Sequence, residues 1–263
     1  MKRIMLTSLE FGTSFGVDRA ICDLIIAGRL SAVGCSVTGS LWTKEFYQLR
    51  DVVEWAEHET KVGLTVCLTG DAMPVTDFGR EIFGEKFPNQ NYYRLRAPLN
   101  LLPDELIAAE VAAQIDMFEN VYARAPAFIA VQGNMARFPV IANTVIAIAT
   151  MMRGREPAVV APLASRRYLS GFVNKAVGSG LSVIHSGPSM PMQVEEDDLR
   201  DFFWHGLNEA EDQMMVFCHP AYKEEVVESK KEKRFWEARQ NQLNFLNGEE
   251  FPFLLMEKDI FLF

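Results

Sequence analysis

Along this chain, short β-rich apolar runs alternate with longer segments whose apolar residues recur at helical spacing. The runs read as strands are Arg3 to Thr7, Ala32 to Thr38, Lys61 to Leu68, Phe128 to Val131, Ala158 to Ala161, Leu181 to His185 and Met214 to Cys218. Several are nearly continuous in apolar character, as strands covered on both faces of a parallel sheet should be. Helical patterns lie near Val17 to Gly28, Lys44 to His58, Pro103 to Tyr122, Val140 to Met152, Leu169 to Ser179, Asp197 to Asn208 and Glu224 to Leu246. Local signals agree with them. Asp104 after Pro103 marks a helix entry, Ala108, Val111, Ala112, Ile115 and Phe118 form one apolar stripe, and Gly28 stands where a helix would stop. This alternation predicts an α/β protein of parallel strands joined by crossover helices. Seven such units fit a (β/α) barrel-like fold, a distorted TIM-type barrel, better than an open doubly wound sheet, although periodicity alone does not separate the two.

One stretch breaks the pattern. Thr69 to Leu102 is rich in Gly, Pro, Asn and aromatics without clear periodicity, and long irregular loops in compact domains are usually functional or disordered. Phe78, Phe83, Phe87, Tyr92 and Tyr93 favour order, so residues of about 69–102 are predicted to form a flap over the strand ends of one domain spanning 1–263.

Composition narrows the function classes. A chain of 263 residues, 49% of them hydrophobic, is long enough to bury one substantial core. The net charge of −9 argues against a general affinity for nucleic acid or anionic lipid, which requires clustered Lys and Arg. The one basic run, Lys230, Lys231, Lys233 and Arg234, is interleaved with Glu228 and Glu232 and reads as a solvated helix face. After Lys2 and Arg3 only Ile4, Met5 and Leu6 are apolar, which is a short strand and no signal peptide. The greasiest stretch, Val140 to Met152, is broken by Asn143 and is too short to span a bilayer. A cytoplasmic location is expected. Cys22, Cys35, Cys67 and Cys218 are widely spaced, each in a core-like segment, and read as buried reduced thiols. No G-x-G-x-x-G follows the first strand and no Walker-type loop occurs, so nucleotide sites are unsupported.

In a parallel β/α architecture the chemistry sits at the C-terminal ends of the strands. Those positions hold Ser8, Leu9 and Glu10, then Thr65, Thr69 and Asp71, then Gln132 and Asn134, His185, and finally His219. His185 reads as a satisfied core or loop histidine, and His58 and His205 as helix-surface residues. Arg166 and Arg167 after the fifth strand are candidates for meeting an anionic group or for a plain surface role.

Four segments carry a resemblance. The opening Ile4-Met5-Leu6-Thr7-Ser8-Leu9-Glu10-Phe11-Gly12, followed by Gly16-Val17-Asp18-Arg19-Ala20-Ile21, resembles the N-A-D-D-F-G and G-V-N-R-A-I motifs of the YdjC/ChbG family of carbohydrate deacetylases, which includes the HpnK proteins. Val62-Gly63-Leu64-Thr65-Val66-Cys67-Leu68-Thr69 is similar to its V-G-L-H-L-T-L-T strand. The segment from Pro126 through Gln132, Gly133, Asn134, Met135 and Ala136 to Pro139 resembles its P-x-H-I-D-G-H-Q-H-V-H-x-x-P. Cys218-His219-Pro220-Ala221-Tyr222 resembles its H-P-G-Y. The resemblance implies a barrel-like deacetylase fold in which an Asp of the first motif and two histidines of the middle motifs hold a divalent metal that activates water against an N-acetyl group.

The departures fall on those ligands. The two Asp positions are Leu9 and Glu10, the strand histidine is Thr65, and the histidine cluster has become Gln132, Asn134 and Ala136. A hydrolytic zinc site needs about three anionic or imidazole ligands plus an open position for water. Thr, Gln and Asn offer neutral oxygens, which are poor ligands for a transition metal. A hard ion would want a further carboxylate, for which Asp71 is the one obvious candidate. No metal or other cofactor is therefore expected. By resemblance His219 stands where a general acid would protonate the leaving amine, and its alternative reading is a histidine held by hydrogen bonds at a strand end. Glu10 is a base or a polar group lining the mouth. Thr65, Gln132, Asn134, Asp71 and Tyr222 are the candidate ligand-binding residues, and Trp42, Tyr222 and the flap aromatics are compatible with stacking on a sugar face, with core packing the default reading for any one of them.

Three readings follow. The leading one is a deacetylase homologue without catalysis, whose pocket binds an acylated sugar, a glycolipid head group or a partner protein. It rests on the loss of every histidine ligand while Gly12, Gly16, Gly63 and Pro220 remain. The second is a hydrolase that removes N-acetyl groups from a sugar using Glu10 and His219. The third is a structural subunit of a larger or homo-oligomeric assembly, with the apolar tail Ile260-Phe261-Leu262-Phe263 docked on a partner or, equally, completing the chain's own core.

Overall fold

Parallel strands dominate the computed structural model, which describes residues 2–192, 196–208, 210–223 and 229–263. They are β1 (Lys2–Phe11), β2 (Ala32–Cys35), β3 (Lys61–Val66), β4 (Phe128–Val131), β5 (Ala158–Val160), β6 (Val183–Ile184), β7 (Ser186–Ser189), β8 (Met214–Phe217) and β9 (Ile260–Leu262). The seven predicted strands are all present, and the register places every paired neighbour described here in parallel. Two strands were not predicted. β7 reads Ser-Gly-Pro-Ser and has no apolar pattern to betray it, while β9 is a three-residue tail. The chain divides into two compact units. One comprises Met1–Val33, Lys44–Lys61 and Ser186–Phe263, the other Gly34–Thr43 and Val62–His185.

In the first unit β1 pairs with β8, Ile4 opposite Met214 through Thr7 opposite Phe217, and β8 pairs in turn with β7, Ser189 opposite Phe217. The C-terminal ends of β1, β8 and β7 thus lie side by side. β1 runs on past Thr7, so Ser8, Leu9 and Glu10 overhang the last register pair. The tail settles as β9 against the start of β1, Lys2 opposite Ile260 and Ile4 opposite Leu262, so it completes the chain's own sheet. A turn follows β1 at Gly12, whose φ of 91° is open to glycine without strain. Its N–H donates to Asp18 Oδ1 at 2.7 Å, at the start of the helix Phe15–Ile26. Ser14 caps that helix by accepting from the N–H of Val17. Later in the unit, the helix predicted over Glu224 to Leu246 is observed over Lys230–Asn247, opened by a capping box between Ser229 and Glu232; residues 224–228 lie outside the described residues. Lys231, Lys233 and Arg234 are exposed on it, as the interleaved charges predicted.

The second unit is built on β3, β4, β5 and β6 in successive parallel pairs. Gly63 on β3 has the ring of Phe128 where a Cβ would be, at 2.6 Å, so close packing of the two strands excludes any larger residue there. The helix Asp104–Tyr122 buries Val111, Ile115 and Phe118 as its stripe predicts, but Ala108 and Ala112 are only half-buried. Between the apolar positions sit two fully buried polar residues one turn apart, Glu110 and Gln114. Gln114 clasps the end of β3: its Oε1 accepts from the N–H of Cys67 and its Nε2 donates to the carbonyl of Cys67, both at 2.8 Å. Glu110 accepts from the N–H groups of Val75 and Thr76, both at 2.9 Å. That carboxylate anchors the segment expected to be an irregular flap. The expectation of irregularity is corrected here, because Asp77–Phe83 and Gln90–Arg96 are short helices, each opened by a side-chain cap, from Thr76 and Asn89. Their aromatics pack on one another: Phe83 lies 6.0 Å from Phe87 and 5.7 Å from Tyr92, and Tyr93 stacks on Phe138 at 6.4 Å. Trp42 is likewise a core residue, stacked on Phe118 at 5.4 Å, so its candidacy for sugar stacking is withdrawn.

Two outcomes follow for stability. Replacing Gln114 with Leu strands two buried backbone groups at Cys67, and unfolding in urea should show a loss of about 2–6 kcal/mol, at roughly 1–3 kcal/mol per group. Asp18 is buried, and burial lifts its pKa from 3.8 to about 7, with the charge of Glu45 adding to the rise and the Gly12 hydrogen bond opposing it. The folded chain then holds a proton that the unfolded chain releases near 3.8, so stability falls as pH rises from there to about 7. The limiting slope is about 1.4 kcal/mol for each tenfold fall in proton concentration. Asp18→Asn should remove that slope, and melting curves from pH 5 to 8 should show the variant gaining on the native chain as pH rises.

Candidate functional site

Glu10, His219 and Ser189 meet at the adjoining ends of β1, β8 and β7. Glu10 overhangs β1, His219 follows β8 by two residues, and Ser189 ends β7. His219 Nδ1 lies 3.1 Å from Glu10 Oε2, and His219 Nε2 lies 3.0 Å from Ser189 Oγ. The imidazole therefore bridges a half-buried carboxylate and an exposed hydroxyl. The sequence brought Glu10 and His219 forward separately, and the fold joins them.

The helix Lys230–Asn247 supports this row with two buried polar residues three positions apart. Arg239 donates from Nη2 to Glu10 Oε2 at 2.8 Å, and its side chain is 5% exposed. Gln242 accepts from the backbone N–H of His219 at 2.7 Å and donates to the carbonyl of Pro191 at 3.0 Å. It thereby holds the backbone on both sides of the imidazole, after β8 and after β7. Burial alone would raise the pKa of Glu10, but the hydrogen bond from His219 and the positive charge of Arg239 outweigh it and keep the carboxyl below its ordinary value. Glu10 is thus a carboxylate across the neutral range, an acceptor only, which assigns the Nδ1 proton to the histidine and leaves Nε2 free to accept from Ser189.

Arg239, Gln242 and Ser189 were not among the sequence candidates. A signal for the first two existed in the spacing: on a helix whose buried positions include Ala238, Leu243 and Leu246, Arg239 and Gln242 fall on the same face. Ser189 had none, because its strand was not recognisable. Tyr222 is held apart from the row's hydrogen bonds: its hydroxyl donates to Asp23 Oδ2 at 2.5 Å, and Arg19 stands over its ring at 5.0 Å.

The remaining candidates belong to the second unit. Thr65 lies on β3 opposite Ala130, 1% exposed, with its hydroxyl unpartnered among the described residues. Gln132 follows β4 and is exposed. Asn134 has a left-handed backbone, φ 58°, and its amide is engaged at both ends with the backbone of Leu163, donating at 2.8 Å and accepting at 2.9 Å. Asp71 is exposed and paired with Lys86 at 2.7 Å. Arg167 lines a cavity of about 390 Å³ between the helices Pro139–Met151 and Arg166–Gly178.

The donor set does not fit the divalent metal that the resemblance implies. Asn134 has given its oxygen to a backbone N–H, Glu10 Oε2 is shared by His219 and Arg239, and among the described residues no group of three His, Cys, Asp or Glu is placed to hold an ion. All four cysteines are buried, and burial raises the thiols of Cys22, Cys67 and Cys218, that of Cys22 to about 12, which disfavours a thiolate at those three. Among the described residues no helix is long and apolar enough to cross a membrane.

Solved structures share this fold. An Enterococcus faecalis V583 protein described as a candidate cellobiose-phosphate cleavage protein superposes with a TM-score of 0.77 at 15% identity, covering 100% of this chain and 97% of its own. An uncharacterised protein from Agrobacterium tumefaciens C58 gives 0.57 at 13% identity, covering 99% and 86%. At these identities the likeness concerns the fold, and the predicted (β/α) barrel-like class stands. Comparison with curated proteins gave no sequence match. The model of the family described as YdjC-like protein matches residues 3–257, nearly the whole length, and this chain belongs to that family.

Proposed function

We propose that this chain hydrolyses an acylated carbohydrate without a metal, with His219 as the group that moves protons. Family and fold suggest a carbohydrate deacetylase-like function. The observation that carries the metal-free reading is the placement of His219, with Nδ1 on an ionised carboxylate and Nε2 at the exposed edge of the strand ends. A histidine so held can take a proton from an attacking hydroxyl and return it to a leaving group. Glu10 fixes the tautomer and steadies the imidazolium that forms, and Arg239 keeps Glu10 charged. The ligand is a neutral acyl sugar, in keeping with the acidic chain.

A second reading, a relative that binds acylated sugar without cleaving it, is favoured by Asn134, whose amide serves the fold where the resemblance expects a metal ligand. The two separate in one assay. Purified protein is offered acetylated sugars and 4-nitrophenyl acetate, with and without chelator. We expect acetate release that chelator leaves unchanged and that His219→Ala lowers by about 10²-fold or more. Stoichiometric zinc together with loss of activity on chelation would sink the metal-free reading. Saturable binding of the sugar without acetate release would establish the second.

The Glu10–Arg239 pair sets the acid side of the pH profile. Because Arg239 lowers the Glu10 pKa, its replacement by Met should raise it, leaving burial unopposed by that charge. The acid limb of kcat/KM should move to higher pH in Arg239→Met. The stability that Glu10 contributes as a carboxylate is present above the ordinary pKa and lost as pH falls through the folded value, so the acid melting limb should move the same way.

A further inference from the structure

We infer that Ser189 is a nucleophile, and that Ser189, His219 and Glu10 form an acyl-transfer triad whose substrate is an ester of a sugar hydroxyl. This rests on the metal-free hydrolase reading above and goes beyond it by naming the attacking atom and the bond broken. Three neighbouring strands each supply one member at the same edge: Ser189 from the end of β7, His219 from just past β8, Glu10 from the overhang of β1. The distances are those of a working nucleophile and base: 3.0 Å from Oγ to Nε2 and 3.1 Å from Nδ1 to the carboxylate. Such constellations arise on unrelated folds and are recognised by geometry and roles rather than by order in the chain.

Accessibility and support agree with the assignment. Ser189 is exposed, so an acyl group can reach its hydroxyl. The backbone N–H of Met190 is bonded to Phe217 at 2.7 Å and Gln242 holds Pro191, so the hydroxyl is borne on a segment tied to β8 and to the long helix. A serine that merely satisfied a histidine would need neither an ionised partner on the far nitrogen nor a guanidinium to keep it ionised. Metal-free attack favours an ester over an amide, because an alkoxide departs from the tetrahedral adduct more readily than an amide anion.

The steps balance as follows. Ser189 Oγ bonds to the acyl carbon while its proton passes to His219 Nε2. The bond from that carbon to the sugar oxygen then breaks, and the same proton goes to the departing oxygen, leaving the free sugar hydroxyl and an ester on Ser189. Water attacks that ester, giving a proton to Nε2, which returns it to Oγ as the carboxylic acid leaves. His219 and Ser189 end unchanged, and no oxidant or metal is consumed.

The test uses the full chain with 4-nitrophenyl acetate and a fluorophosphonate, read by pre-steady-state absorbance and by mass spectrometry of the intact protein and its peptides. We expect a burst of nitrophenol, one adduct on Ser189, and loss of both in Ser189→Ala, with kcat/KM for acetate release down about 10³-fold or more. Ser189→Cys should regain the burst as a thioester, which separates chemistry from misfolding. Hydrolysis at the native rate by Ser189→Ala, with no adduct on the native chain, would overturn Ser189 as nucleophile while leaving His219-assisted attack by water intact. Neither hydrolysis nor adduct in the native chain would overturn both.

Discussion

The ion pair between Arg239 and Glu10 governs the chemistry available to the first unit. Two opposite charges taken largely out of water cost free energy individually and regain it only in good geometry. Here the geometry is a 2.8 Å contact with a second donor, His219, on the same carboxylate oxygen. That oxygen is therefore shared by an imidazole and a guanidinium, which ties Glu10 to both.

The same logic separates what each unit has done with its polar positions. In the second unit three polar side chains serve the backbone: Gln114 closes on Cys67, Glu110 on Val75 and Thr76, and Asn134 on Leu163. Each satisfies main-chain groups that a loop would otherwise leave unpaired. In the first unit Asp18 and Gln242 do the same, but Arg239, Glu10 and His219 bond one another in a row that ends at an exposed hydroxyl.

The fold was legible because its strands are apolar and its helices periodic. Phe128 to Val131 was located to the residue, and other boundaries slipped by a few positions where strand ends meet turns. Legibility failed where apolarity was not the cause of structure. Ser-Gly-Pro-Ser forms β7 because β8 offers it a ladder, and the short helices of 77–83 and 90–96 form because Thr76 and Asn89 cap them and Glu110 anchors the entry. At the site, Glu10 and His219 were visible by resemblance, but not their contact, which depends on strand adjacency. Arg239 stayed hidden because its basic neighbours, exposed as expected, made the whole helix look solvated.

The row joins residues from opposite ends of the polypeptide. Glu10 and Arg239 are 229 positions apart, and β9 closes on β1 from farther still, Lys2 opposite Ile260. Contacts of such separation carry the largest loop-closure entropy and form late in folding. During synthesis the first strand leaves the ribosome long before its guanidinium partner exists, so a nascent chain lacking the helix Lys230–Asn247 has a carboxylate there without that partner. The row closes only when almost the entire polypeptide has been made.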